Sequence, residues 1–199
     1  MLVNFDNLSG ARVRPTKLAH VVLRTHDKKT MAKFYCDFLG GEVVHQNDVL
    51  AFITYDDEHH RVALAEIPDL KTKDRSTCGL EHIAFTFETL EDLFLAYRQR
   101  RAQGMLPFWC VNHGMTISLY YADPDGNILE TQVDVFEDPA EANAYMMSPA
   151  YTTNPIGVDF DPEEFIQRIN KGESWESLTS RPDSGPRGFD TIPRVKPQL

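Results

Sequence analysis

Two stretches of the chain repeat the same order of hydrophobic and polar positions. Residues 18–25 (LAHVVLRT) and 80–87 (LEHIAFTF) each begin with Leu, any residue and His, and continue as an apolar run of residues that favour strands. The two histidines, His20 and His82, are 62 residues apart and occupy equivalent places. A repeat of this length predicts two copies of one structural unit.

Each predicted strand is followed by a segment with apolar residues at helical spacing. These segments are 30–39 in the first copy and 90–103 in the second. Glycines follow at Gly40 and Gly104, as expected where a helix ends in a left-handed cap. The second helix carries a basic run that we expect to be its solvent-exposed face, made by Arg98, Arg100 and Arg101.

Three short strand-like runs complete each copy. They are 42–45, 50–55 and 61–66 in the first copy, and 106–111, 116–121 and 128–133 in the second. The run Asp-Pro-Asp-Gly-Asn at 123–127 predicts a hairpin turn. The fold class is therefore α+β, with two βαβββ modules, 17–67 and 79–134, in one domain over 17–136. We expect their eight strands to enclose one open, barrel-like, metal-binding cavity.

The ends of the chain differ from this domain in composition. Residues 1–16 form an N-terminal segment, and residues 137–199 form a C-terminal extension. The extension reads as loop over 137–160 and as helix over 162–171, where Pro162 suits a first helical turn. It is too poor in apolar residues to form a core of its own. We expect it to wrap around the main domain or a neighbouring subunit of a homo-oligomer.

Composition and charge exclude several classes of function. Hydrophobic residues make up 42% of the 199 residues and charged residues 25%, as in ordinary globular proteins. A net charge of −10 argues against a nucleic-acid partner, which clustered basic residues would bind. No apolar stretch approaches the roughly 20 residues that cross a bilayer, and we expect no leader before the domain. Three widely spaced cysteines form no disulfide framework, so a cytoplasmic protein is expected.

Three residues of these modules are candidate metal ligands. His20 and His82 lie at equivalent repeat positions, so pseudo-twofold symmetry would bring them together. Glu130 lies on the last strand among apolar residues, where an unpaired buried carboxylate would be costly. Two neutral imidazoles and one carboxylate on one face suit a catalytic Fe(II) ion, and Mn(II) accepts the same ligands.

The motifs that carry these ligands resemble a known superfamily. LAHVVLRT, GLEHIAF and SLYYADPDGNILE are similar to the strand openings and closing hairpin of the vicinal oxygen chelate superfamily. That superfamily includes glyoxalases, bleomycin-resistance proteins and extradiol dioxygenases, and the resemblance covers residues 18–133. Because its members differ in chemistry, the closing motif predicts the superfamily and not the reaction.

Further residues resemble the single-domain type I extradiol catechol dioxygenases, of the biphenyl-2,3-diol 1,2-dioxygenase-like kind. The resemblance implies that His60 acts as acid and base beside bound dioxygen, and that His113 and Tyr120 surround the oxygens of a small aromatic diol. Tyr120 and its neighbour Tyr121 face opposite sides of a strand, and the motif match favours Tyr120. Other side chains are assigned more ordinary roles: His59, His26 and His45 as surface residues, and Phe52, Phe85, Phe108, Trp109 and Tyr151 as pocket lining or core.

Two alternative functions remain open at this point. A glyoxalase-type isomerase or epimerase would take a fourth metal ligand from the first module, and Glu66 is the candidate. A metal-free protein of the same fold would bind and sequester a small aromatic compound. The full metal-ligand set argues against the metal-free protein, and the isomerase does not ordinarily need the set of His60, His113 and Tyr120. That set therefore favours a ring-cleaving dioxygenase that uses O2.

Overall fold

The computed structural model describes residues 12–195, so most of the predicted N-terminal segment, 1–16, lies outside the described residues. The first module forms a four-stranded sheet in the order β1-β4-β3-β2, in which β1 runs parallel to β4 and the other pairs are antiparallel. Its elements are β1 (Val21–Thr25), α1 (Lys28–Leu39), β2 (Glu42–Gln46), β3 (Leu50–Thr54) and β4 (Val62–Glu66).

The second module repeats this arrangement, which confirms the predicted fold class. Its sheet has the order β5-β8-β7-β6, again with one parallel pair, β5 with β8, and a further strand of the extension adds to β6. The two sheets stay separate and open in the described residues. The elements are β5 (His82–Thr86), α2 (Leu90–Ala102), β6 (Trp109–Asn112), β7 (Thr116–Ala122) and β8 (Ile128–Asp134).

Local sequence explains where the two long helices begin and end. Asp27 caps α1 by accepting a hydrogen bond from the backbone N–H of Thr30, and Thr89 caps α2 through Asp92 in the same way. Gly40 ends α1 with a φ of 66°, in the left-handed region that favours glycine. The apolar faces of both helices contribute to one core that spans the two modules.

The core between the modules contains a buried arginine, and the prediction that Arg100 faces solvent was wrong. Arg100 is 3% exposed, and its Nε and Nη2 donate to the backbone carbonyl of Phe38 at 2.8 and 2.6 Å. Its guanidinium also lies over the Phe38 ring, 4.1 Å from the centroid. Arg98 and Arg101 do face outward, where they pair with Glu163 of the extension.

The extension wraps the second module, and residues 137–160 are not a simple loop. They contain two short helices and a two-residue strand that pairs with β6. The predicted helix after Pro162 is present, and Phe165 on it stacks on Phe94 of α2 at 4.8 Å. The elements are α3 (Pro139–Met146), α4 (Pro149–Thr153), β9 (Val158–Asp159), α5 (Pro162–Asn170) and α6 (Trp175–Thr179).

Two further sequence expectations concern the chain as a whole. Cys36, Cys78 and Cys110 are free, as their spacing predicted. Between residues 12 and 195, no helix combines the length and the hydrophobicity that crossing a bilayer requires.

Candidate active site

Three neighbouring strands of the second module bring His82, Glu130 and Tyr120 together. Glu130 on β8 is the register partner of Tyr120 on β7, and β8 also pairs with β5, which begins at His82. The Nε2 atom of His82 lies 3.0 Å from Oε2 of Glu130, and the His82 ring meets the Tyr120 ring edge-on at 5.5 Å. Two of the three predicted metal ligands are therefore in direct contact.

The carboxylate of Glu130 is buried and ionised. Only 4% of the residue is exposed, and burial by itself would raise the pKa of the carboxyl. Hydrogen bonds from His82 and Ser118 outweigh burial, so the pKa of Glu130 is lowered. The hydrogen bond between His82 and Glu130 also raises the pKa of His82. Sequence reasoning missed Ser118, although it shares the strand face of Tyr120 by the period of two.

Tyr120 extends this group to the loop histidine, His113. The Nε2 atom of His113 lies 3.0 Å from the Tyr120 hydroxyl, and Nδ1 is hydrogen-bonded to the backbone carbonyl of Ile156. Burial raises the pKa of Tyr120 and lowers that of His113, so both side chains are neutral near pH 7. The ring of Trp109 stacks on Tyr120 at 4.7 Å and holds it in place.

The first module gathers a separate group of imidazoles around His60. The ring centroids of His20 and His60 lie 4.3 Å apart. The ring of Phe52 stacks on that of His60, with 4.6 Å between the centroids. His60 is 8% exposed, whereas His20, which precedes β1, is exposed. Desolvation and the nearby His20 and His59 lower the pKa of His60, which favours its neutral, proton-accepting form.

His59 joins this group, which the sequence did not predict. One ligand atom each from His20, His59 and His60 lies within 4.8 Å of the others. Glu58 contacts Nδ1 of His59 at 2.7 Å and orients the ring. His59 is nevertheless largely exposed, as expected of a turn residue. The sequence did contain a signal for this group, because His59 and His60 are adjacent in the turn that precedes β4.

The structure thus brings the predicted residues together in two groups, one per module. His82, Glu130, Tyr120 and His113 form the first, and His20 and His60 form the second. Within residues 12–195, no hydrogen bond or ring contact joins the two groups. The assignment of His20 as the third ligand stays a prediction that rests on its repeat equivalence with His82.

The predicted lining aromatics divide between this site and the core. Phe52 packs on His60, and Phe108 and Trp109 lie against Tyr120. Phe85 instead packs against Phe38 between the modules, and Tyr151 contacts Tyr145 in the extension. The aromatic residues beside the titratable groups are therefore Phe52, Phe108 and Trp109.

Glu66, the fourth ligand that an isomerase would need, is used elsewhere. Its Oε2 accepts a hydrogen bond from the backbone N–H of Lys28 at 3.1 Å, at the start of α1. Val62 and Leu64, which share its strand face, are completely buried. His60 lies outside β4, which begins at Val62, so the alternation of side chains along this strand does not place His60 on the face of Glu66.

The side chains of the second module suit a divalent cation. Glu130 offers a buried, ionised carboxylate, and His82 offers an imidazole in contact with it. A buried carboxylate held in its charged form is favourable where a cation neutralises it. With a second imidazole, this is the donor set of non-haem Fe(II) oxygenases, and it also accepts Mn(II).

Comparisons with known proteins agree with this reading of the fold. The model of the glyoxalase/bleomycin resistance protein/dioxygenase superfamily matches residues 17–131. Biphenyl-2,3-diol 1,2-dioxygenase 2 of Rhodococcus globerulus is 44% identical over 82% of this chain and 87% of its own. Biphenyl-2,3-diol 1,2-dioxygenase 3 of the same organism is 45% identical over 83% and 88%.

A solved structure supports the fold alone. The glyoxylase/bleomycin resistance protein/dioxygenase domain from Frankia sp. is 17% identical, covers 65% of this chain and 99% of its own, and superposes with a TM-score of 0.54. The predicted resemblance is therefore confirmed at the level of family and fold. The chain belongs to the glyoxalase/bleomycin resistance protein/dioxygenase superfamily, and within it to the relatives of biphenyl-2,3-diol 1,2-dioxygenases.

Proposed function

We propose that this protein is a metal-dependent extradiol dioxygenase that opens a catechol-type aromatic ring beside its two hydroxyls and incorporates both atoms of O2. The observation that carries the proposal is the connected group of His82, Glu130, Tyr120 and His113. The names of the two relatives from Rhodococcus globerulus support the same reaction class. We further propose Fe(II) as the metal, with His20, His82 and Glu130 as its ligands.

The metal would supply a positive charge that acidifies the substrate hydroxyls and brings the aromatic ring and dioxygen into one coordination sphere. The remaining chemistry belongs to side chains of this protein. A catechol must lose a proton to bind as its anion, and a neutral imidazole can accept it. His113 and His60 both have lowered pKa values, so each is free to accept a proton near pH 7.

Tyr120 and the aromatic residues would orient the substrate. The Tyr120 hydroxyl has a raised pKa and keeps its proton, so on binding of the diol it can turn that hydrogen from Nε2 of His113 to a negatively charged substrate oxygen. Trp109 fixes the plane of the Tyr120 ring from one side. Phe52 lies over His60 and offers a flat apolar surface beside it, which suits an aromatic ring.

The second group of imidazoles gives His60 a different role from His113. His60 lies in the first module with His20, whereas His113 lies in the second module with Tyr120. We assign His60 to proton transfer at the dioxygen side and His113 with Tyr120 to the diol side. The two proton-transfer groups then serve opposite sides of the bound substrate.

Anaerobic loading with Fe(II) followed by addition of catechols and air tests the proposal. We expect oxygen uptake and a yellow ring-fission product with catechol, 3-methylcatechol or 2,3-dihydroxybiphenyl. A parallel sample loaded with Mn(II) shows which of the two metals supports oxygen uptake. If none of these diols causes oxygen uptake and the protein instead converts a hemithioacetal, the proposal of a dioxygenase is wrong and the protein is an isomerase.

A further inference from the structure

The C-terminal extension is fastened to the strand that leads into His113. Strand β9 pairs with the end of β6, with Val111 opposite Asp159 and Asn112 opposite Val158. Gly157, just before β9, has a φ of 114°, and a Cβ there would lie 2.4 Å from the carbonyl oxygen of Asn112. Only glycine at position 157 therefore allows the extension to approach the backbone next to His113 this closely.

A buried asparagine shapes the turn that reaches His113. Asn154 is 1% exposed, and its Oδ1 accepts hydrogen bonds from the backbone N–H groups of Ile156 and Gly157 at 3.0 and 2.8 Å. Arg181 holds the same turn from outside by donating to the Asn154 carbonyl at 2.7 Å. These bonds leave the carbonyl of Ile156 free to face Nδ1 of His113.

The chemistry of that contact determines where the proton of His113 lies. A backbone carbonyl only accepts hydrogen bonds, so Nδ1 of His113 carries the hydrogen. The lowered pKa leaves the ring neutral, with Nε2 as an acceptor. Nε2 is 3.0 Å from the Tyr120 hydroxyl, which donates its hydrogen to it. The direction of hydrogen bonding thus runs from Tyr120 through His113 to the extension.

We propose that the 154–157 turn of the C-terminal extension positions His113 and fixes its Nδ1–H tautomer, which keeps Nε2 as the acceptor that faces Tyr120. The turn lies outside residues 17–131, which match the superfamily model, so this part of the site is an addition to the shared domain. The catalytic consequence rests on the proposed function, whereas the tautomer is a property of the free chain. Asn154 is thus a positioning residue and His113 is the group that it positions.

Nitrogen NMR of the 15N-histidine-labelled full chain tests the tautomer directly. Spectra of the metal-free chain and of the chain loaded with diamagnetic Zn²⁺ report the protonation of each ring nitrogen, and the His113→Gln variant assigns the His113 signals. We expect His113 as the Nδ1–H tautomer at pH 7. Finding the Nε2–H tautomer in both samples overturns the proposal, whatever the protein catalyses.

Two variants of the turn and a matched control distinguish a local effect on His113 from a general loss of folding. Asn154→Ala removes the two bonds to Ile156 and Gly157, and Arg181→Gln removes one support from outside with less risk to the fold. Asn143→Ala, on the exposed face of α3 in the same extension, is the matched control. We expect Nε2–H character at His113 in Asn154→Ala, less of it in Arg181→Gln and none in the control.

The enzymatic consequence follows from the same variants. With an Fe(II)-loaded catechol assay in hand, Asn154→Ala should lower kcat by about 10-fold or more, since a misprotonated histidine loses much of the benefit of acid–base catalysis, while KM changes little. If folded Asn154→Ala and Arg181→Gln both keep the Nδ1–H tautomer, the turn does not set it and the proposal fails. An inactive wild type with the expected tautomer refutes the proposed function and leaves the tautomer assignment intact.

Discussion

Tyr120 lies directly opposite Glu130 on neighbouring antiparallel strands, so one register places a neutral hydroxyl beside an ionised carboxylate. On the same strand, Tyr121 points the other way and packs edge-on against Phe38 in the core at 5.1 Å. The two adjacent tyrosines therefore serve the site and the core respectively.

Replacing the two tyrosines separates these roles. Tyr120→Phe keeps the ring that stacks on Trp109 and removes the hydroxyl that contacts His113, so kcat of the Fe(II)-loaded enzyme should fall by about 100-fold. Tyr121→Phe should leave kcat within about 3-fold of the wild type, since its hydroxyl lies away from the site. Steady-state kinetics on a catechol measure both, and equal losses in the two variants would refute the assignment of Tyr120.

Glu130→Gln tests the carboxylate as a metal ligand. The variant keeps the size of the side chain but loses the charge that a cation requires, and the neutral amide is a poorer ligand. Affinity for Fe(II) should fall by more than the ~10–100-fold that loss of an outer hydrogen-bond partner of a ligand costs. Metal content after anaerobic dialysis measures this loss. Glu137→Gln, at an exposed position just beyond β8, should retain its metal, and equal metal content in both variants would remove Glu130 from the ligand set.

Arg100→Gln should destabilise the protein because it breaks two hydrogen bonds and leaves the buried Phe38 carbonyl without its partner. Loss of a buried charged donor costs about 3 kcal/mol in free energy of unfolding. Arg98→Gln on the same helix removes an exposed ion pair with Glu163, which contributes about 0–1 kcal/mol. Urea unfolding of the two variants compares these costs, and a smaller loss for Arg100→Gln would contradict the buried contact.

The pH dependence of stability should include a contribution from His113. Its pKa is lowered by burial, so between the lowered value and the ordinary value near 6.5 the unfolded chain binds a proton that the folded chain does not. The free energy of unfolding should therefore fall as the pH falls through this window. His113→Gln, which carries no titrating group, should show a shallower fall in urea unfolding between pH 7 and pH 5. Identical slopes would show that the pKa of His113 is the same in both states.

Much of the fold was predictable because the repeat is visible in the residues that build it. The equivalent positions of His20 and His82, the helix-ending glycines and the Asp-Pro-Asp-Gly-Asn turn each reflect local physical preferences. The motif match also singled out Tyr120 and His113, whose side chains lie 3.0 Å apart, while their roles stay predictions. These features depend on neighbours within a few residues, which is why the sequence indicates them.

Two features that the sequence did not indicate depend on partners that are distant in the chain. Arg100 looked exposed because its acceptor, the carbonyl of Phe38, belongs to the other module. The partner of His113 is the backbone carbonyl of Ile156, which no side-chain pattern can indicate. The helices of the extension did have local signals, since Asp138 and Ser148 each precede a proline and cap a helix start.

Strand β9 also has a consequence for the behaviour of the protein in solution. It covers the outer edge of β6 at Val111 and Asn112, where backbone groups would otherwise be unpaired. An uncovered strand edge is a template on which a second chain can add its own strand. A chain cut after Phe136 would expose that edge together with the buried face of Trp109, so it should aggregate. The same extension whose Ile156 carbonyl contacts His113 thus also protects the edge of β6 from strand addition by a second copy.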